Sequence, residues 1–353
     1  LVLPQDVEEG ANRPHACSAP SALMVRVVVR NAAGDSFEGS FEPESTISQL
    51  KEAIAQRWQI PGSCQKLLFG TSVLEDCERI GAHCKSADAA LALTIVVSLE
   101  GLRRDLESGS SQRQIPALKD LGQLGARGGS AAVDAAIACG EDGDPVVART
   151  ALDVLVKVTA RGDEETIEKV TPRVTHERWQ TRQFTVEALA RVAPRGDREA
   201  IAEVVSRLED EDADVRSAAV RALAQVVELG DQHAVEAVSQ RLEHSSWTVR
   251  CAALDALALV AGRRNPDAVA SVAACIADEH PAVREAAVLA IVRIADKRDE
   301  HAIAAITARF EHKDSIVRRT ALEALAQVAG RGEPRAVAAV AALLARERRD
   351  VRA

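Results

Sequence analysis

The chain has no tyrosine, one methionine and only 2% aromatic residues, three tryptophans and five phenylalanines in 353 residues. Aromatic rings on which unpaired bases stack are therefore too few for a single-strand binding platform. There is no basic tract either. The net charge of −9 is spread along the chain, about −2 in residues 1–21, −3 in 22–100 and −4 beyond. That balance excludes nucleic acid as the main partner, because phosphate binding needs clustered Lys and Arg. Seven cysteines are scattered at 17, 64, 77, 84, 139, 251 and 275, with no CxxC pair and no Cys/His cluster at zinc spacing. No metal is expected, and the odd thiol count fits a reducing compartment, cytoplasmic or nuclear, with an organelle left open. No apolar run reaches the roughly 18 residues of a membrane span. Phosphate loop, dinucleotide fingerprint and Ser/His/Asp arrangement are all missing, so neither catalysis nor a cofactor is expected.

What the chain has is 47% hydrophobic residues, mostly small Ala, Val and Leu, with 27% charged. Small aliphatic side chains without rings suit helices packed closely on helices. The length implies two or three domains. Residues 1–21, punctuated by Pro4, Pro14 and Pro20, are predicted to be a linker or disordered segment, and a chain starting at Leu1 is expected to be processed or partial.

Residues 22–100 form the first predicted domain. MVRVVVR (24–30) and SFEGSFE (36–42) flank a turn-rich break, Asn31 to Asp35, and predict a hairpin. Pro43-Glu-Ser-Thr46 then leads into ISQLKEAIAQRW, with Ser45 or Thr46 as N-cap and Ile47, Leu50 and Ile54 on one helical face. CQKLLFG and LALTIVV (91–97) supply two further strands. A β-β-α-β-β order in under about 80 residues predicts an α+β roll with one helix across a sheet.

These segments resemble ubiquitin and its relatives, through FEPESTISQLKEAI, IPGSCQKLLFG and the VLED that follows. The resemblance implies a β-grasp fold and a partner-binding patch on the sheet, carried here by Lys66, Leu68 and Thr94, with Ala92 where the family has a histidine. A conjugated modifier needs a free diglycine terminus. This domain runs on through Ser98-Leu-Glu-Gly101, which makes it an integral module.

After a predicted linker at 101–110, residues 111–353 repeat. Val-Arg recurs at 215–216, 249–250, 283–284, 317–318 and 351–352, each 34 residues on, with Thr181-Arg182 in the same frame. Four residues further lie Ala151, Thr185, Ala219, Ala253, Ala287 and Ala321. The next columns are Leu155, Leu189, Leu223, Leu257, Ile291 and Leu325, then Val158, Val192, Val226, Val260, Ile294 and Val328. Steps of 4, 4 and 3 trace one helix face. A glycine turn follows at Gly128, Gly162, Gly196, Gly230 and Gly332, then N-caps at Asp163, Asp197, Asp231, Asn265 and Asp299. A second helix carries apolar columns ending at Val337, Val340 and Leu344. The expected architecture is an all-α solenoid of about seven helical hairpins, with residues 345–353 starting an eighth and the last repeat truncated.

The D-x-x-V-R-x-x-A-x-x-x-L pattern resembles HEAT repeats, in particular the short ones of phycobiliprotein lyases. That resemblance places the first helices on a concave, partner-facing surface, where Asp153, Glu187, Arg221, Asp255 and Glu323 form one exposed column. Asp153–Lys157 and Glu187–Arg191 stand in i,i+4 order for ion pairs. Arg182, Arg216, Arg250, Arg284 and Arg318 form a structural arginine ladder, expected to bond acids or carbonyls at the turns near Asp212 and Asp314. Deoxyhypusine hydroxylase is also a HEAT-like array, but its repeated His-Glu pairs have one counterpart here, His176-Glu177. The sequence thus predicts a non-enzymatic scaffold or adaptor with protein partners. The alternative is a bilin-lyase-like chaperone or an accessory subunit of a larger, pigment-protein assembly.

Overall fold

The computed structural model describes residues 24–84 and 90–350, without the side chains of 347–350. The predicted segment 1–21 lies outside the described residues. The chain divides into two units between Ser98 and Leu99.

In the first unit the alternation of VRVVVR and SFEGSF makes strands β1 (Val25–Arg30) and β2 (Ser36–Phe41), joined by a turn in which Gly34 takes φ +92. Helix α1 (Ile47–Trp58) starts at Thr46 rather than Ser45. The Thr46 hydroxyl accepts the Gln49 N–H, and the Gln49 side chain accepts the Thr46 N–H, a reciprocal cap. Ile47, Leu50 and Ile54 are buried, as their spacing predicts. Strands β3 (Gln65–Phe69), β4 (Ser72–Val73) and β5 (Leu91–Val97) complete a five-stranded sheet in the order β2-β1-β5-β3-β4. β1 and β5 run parallel, and the other neighbours are antiparallel. Val27, Val29, Leu67, Leu91, Leu93 and Ile95 point to the buried face beneath α1.

The second unit begins earlier than the sequence implies. Residues 101–110, expected as a linker, contain most of helix α2 (Glu100–Leu106), anchored by buried Leu102 and Leu106. Among the described residues seven helical hairpins follow. Their first helices are α3 (Ser111–Leu124), α5 (Pro145–Val158), α7 (Trp179–Val192), α9 (Ala213–Val226), α11 (Trp247–Val260), α13 (Pro281–Ile294) and α15 (Ser315–Val328). The second helices are α4 (Gly129–Gly140), α6 (Glu164–Val170), α8 (Arg198–Ser206), α10 (Gln232–Ser239), α12 (Pro266–Ala274), α14 (Glu300–Thr307) and α16 (Pro334–Asp350). Every residue of the three predicted first-helix columns is buried. The small side chains of the Ala151–Ala321 column let neighbouring first helices pack close together.

Asp163, Asp197, Asp231, Asn265 and Asp299 each accept backbone N–H groups at the start of a second helix. Just before each cap, a left-handed residue donates its N–H to the last carbonyl of the next repeat's first helix. These bonds are Gly162 to Val192, Gly196 to Val226, Gly230 to Val260, Arg264 to Ile294 and Arg298 to Val328, at 2.7–3.1 Å. Two points differ from the predicted glycine column. At the first turn the glycines with positive φ are Gly125 and Gly129, not Gly128, and arginines hold positive φ at 264 and 298, with φ 62 and 66. A side chain there costs about 1–2 kcal/mol, partly offset because glycine gives freedom back to the unfolded chain. Arg264→Gly is therefore expected to raise stability by about 0.5–1 kcal/mol, measured by urea unfolding.

The final hairpin departs from the frame. Val337 and Leu344, placed in core columns by sequence, are 58% and 56% exposed, and the helix buries Ala336 and Leu343 instead. α16 also runs on to Asp350, where the frame expects a turn and the start of an eighth hairpin. The column that carries Asp212, Ser246, His280 and Asp314 holds Arg348, and Arg-Glu-Arg-Arg is helix-favouring, so nothing in the sequence stops the helix. Among the described residues, no helix is long and apolar enough to cross a membrane.

Candidate protein-interaction surfaces

On the open face of the sheet the register sets Leu68 opposite Thr94 and Lys66 opposite Val96. The three residues predicted from sequence therefore share one patch. Val73 of β4 lies opposite Leu68 from the other side, while β1 places Val28 beside Ala92 and Arg30 beside Thr94. Thr94 and Ala92 are exposed, Leu68 and Lys66 half-buried, and Val73 and Val96 leave nearly half their surface open. The result is an aliphatic strip of Val28, Leu68, Val73 and Val96 bordered by Arg26, Arg30 and Lys66. Period-two alternation in VRVVVR and LALTIVV carried the signal for Val28, Val96 and both arginines, since alternate residues share a face.

The arginine column lies at the turns between repeats. Arg182 donates from Nε and Nη2 to both carboxylate oxygens of Asp210 at 2.8 Å, and from Nη1 to the carbonyls of His176 and Glu177. Arg250 repeats this arrangement with Asp278 and the carbonyls of His244 and Ser245. Arg216 and Arg284 donate from Nη1 to the paired carbonyls of Asp210–Glu211 and Asp278–Glu279, and Arg318 to those of His312 and Lys313. The acids are thus Asp210 and Asp278, with Glu211 and Glu279 beside them, not Asp212 and Asp314, which instead cap their own helices. The column behind this reads His176, Asp210, His244, Asp278 and His312. Each member accepts the N–H two residues on, so Asp and His are interchangeable as turn formers, but only Asp adds a charge for an arginine. Burial alone would raise the Asp210 carboxyl pKa. The Arg182 guanidinium and the Asp212 N–H outweigh that and hold it below its ordinary value.

Asp153, Glu187 and Arg221 of the exposed first-helix column pair across repeats rather than within a helix. Asp153 meets Arg191 at 2.7 Å and Glu187 meets Arg221 at 2.9 Å, in place of the expected Asp153–Lys157 and Glu187–Arg191 pairs. Glu323 is bridged by Arg319 one turn earlier. Asp255 is the exception. Its place in the pattern calls for partners at 289 and 293, but residue 289 is leucine, and Arg293 acts on it only at a distance. Surrounding helices desolvate the Asp255 carboxyl and push its pKa up, Arg293 opposing. Beside the paired charges, a cleft of about 410 Å³ opens between α5 and α7, lined by Leu152, Trp179, Phe184 and Glu187. Trp247, one column mate of Trp179, is stacked on His280 with ring centroids 4.2 Å apart.

Burial pushes the Cys139 and Cys275 thiols up to about 11, so neither is a thiolate at neutral pH.

Family models match this chain twice, as the ubiquitin family over residues 27–95 and as HEAT repeats over 167–258 and 235–299. The chain carries a ubiquitin-like domain followed by a HEAT-repeat array. Nothing among curated proteins matches it. Solved structures similar to it include an engineered protein from a structural genomics consortium, 19% identical over 65% of this chain and 96% of that one, with a TM-score of 0.32. A designed armadillo repeat protein in complex with a (KR)4 peptide is 22% identical over 65% and 99%, with a TM-score of 0.30. A second engineered protein is 21% identical over 65% and 68%, with a TM-score of 0.33. The ubiquitin-like domain and the HEAT array together fit a protein-interaction scaffold, since both folds typically bind proteins rather than catalyse.

Proposed function

We propose that the chain is a non-enzymatic adaptor in which the ubiquitin-like sheet and the solenoid's first-helix face engage separate protein partners. The observation that carries this reading is the open sheet face, where Val28, Leu68, Val73 and Val96 form an aliphatic strip edged by Arg26, Arg30 and Lys66. Apolar surface rimmed by polar groups is the usual make-up of a protein-binding patch. Because the last strand continues into α2, the domain acts by recognition and not by conjugation through a free end. The solenoid contributes a second, extended surface: its first helices pack close together, as the helices on the inner side of a curved stack do.

The test is affinity purification of the intact chain alongside Leu68→Glu and alongside Asp255→Asn/Leu289→Glu. Leu68→Glu should remove one set of protein partners, each with affinity reduced about tenfold or more, as loss of a central contact does. The solenoid variant should remove a different set, and thermal unfolding should be unchanged in both. Loss of the same single partner in both variants sinks the two-module reading, and so does turnover of a substrate by the purified chain.

A further inference from the structure

One break in the charge pattern of the HEAT array marks a place where a partner would gain most. Along the exposed column of the first helices stand Asp153, Glu187, Arg221, Asp255, Leu289 and Glu323. Residues 34 and 38 apart meet in this column, as the Glu187–Arg221 and Asp153–Arg191 pairs demonstrate. Asp255 therefore faces Leu289 and Arg293 of the next repeat, and Arg293 acts on it through its field, without a hydrogen bond among the described residues. Leu289 is 57% exposed, and Leu259 and Val292 on the same face of α11 and α13 leave more than a third of their surface open. Half-buried Ala258 and Ala286 extend the apolar floor. An aliphatic patch holding a carboxylate with no ion-pair partner is complementary to a cation carried among apolar side chains. Arg221 on the near side is committed to Glu187 and Arg319 on the far side to Glu323, so neither supplies that cation, and Arg293 opposes the desolvation of Asp255 only through its field.

We infer that the face formed by Asp255, Leu259, Leu289 and Val292 is a docking site for an amphipathic segment of a partner protein. That segment presents aliphatic residues to Leu289 and one Lys or Arg to Asp255. The apolar contacts bring the cation out of water against the carboxylate, where a charge-assisted bond is stronger than at an open surface. The inference rests on the adaptor reading for the role of this face, but it assigns the site and the partner chemistry independently.

The experiment is selection of a displayed library of random peptides, about twelve residues long so that a helix of three turns can form, against the intact chain. Recovered peptides should share two aliphatic residues at helical spacing with a Lys or Arg between or beside them. Leu289→Glu should weaken a selected peptide about tenfold or more. Asp255→Asn should weaken it by a similar factor while leaving unchanged the binding of the same peptide with its basic residue replaced by Gln. Asp153→Asn, outside the patch, should have no effect. The inference is overturned if selection yields no peptide, if the selected peptides lack a basic residue, or if both patch variants bind them as wild type. In those cases a partner set lost only in Leu68→Glu would leave the sheet half of the adaptor reading standing.

Discussion

Leu223→Ala should destabilise the solenoid by about 2–5 kcal/mol, read from urea or thermal unfolding. Leu223 is fully buried in the middle of the array, amid Ala219, Val226, Leu257 and the second-helix residues Val204 and Val238. Removing its three outer carbons leaves a cavity that neighbours on both sides, themselves held by the next repeats, cannot close. The contrast within the last hairpin makes the test specific. Leu344→Ala, in an apolar column of the same repeat frame but 56% exposed, should cost within about 0.5 kcal/mol. A repeat array can also open locally, so amide exchange in Leu223→Ala should rise most in α9 and its neighbours. Equal costs at the two leucines would mean that the array does not stack as described.

The second large effect lies in the arginine column. Arg182→Gln should cost about 3–5 kcal/mol, because it leaves the nearly inaccessible Asp210 carboxylate without its bidentate partner. Arg216→Gln removes bonds to carbonyls only and should cost about 1 kcal/mol. The sign of the pH dependence follows from the Asp210 carboxyl, whose pKa in the folded chain lies below its ordinary 3.8. Its contribution is complete above that ordinary value and is lost as pH falls through the lowered one. The stability gap between wild type and Asp210→Asn should accordingly be constant at neutral pH and close below about pH 4. A gap that persists in acid would mean that the carboxylate's charge is irrelevant to the pair.

The buried columns were legible because a 34-residue period repeats the same 4, 4, 3 spacing, and apolar periodicity depends on local helix geometry alone. The β-grasp domain was legible for a similar reason: alternation, a capped helix and turn residues agree on one topology. The candidate surfaces were only partly legible. Leu68, Thr94 and Lys66 sit together as expected, but Val73 joins them through a two-residue strand too short to register as alternation. Helix α2 was hidden in a stretch that offers two buried leucines and no repeat signature.

The sequence by itself determined the two folds, the hairpin count, the buried face of every helix in the central repeats and the caps that start the second helices. All of these follow from residues within one turn or one period of each other. Only the tertiary structure decided how charges pair across the array. Asp153 finds Arg191 rather than Lys157, and Arg250 finds Asp278, because stacking sets which residues 34, 38 or 28 positions apart come within reach. The same stacking left Asp255 facing a leucine. Asp153 passes over Lys157 in its own helix for Arg191, and Asp255 has Leu259 at the matching place, so a partner for either must come from the neighbouring repeat, whose approach is governed by packed volume and not by local sequence.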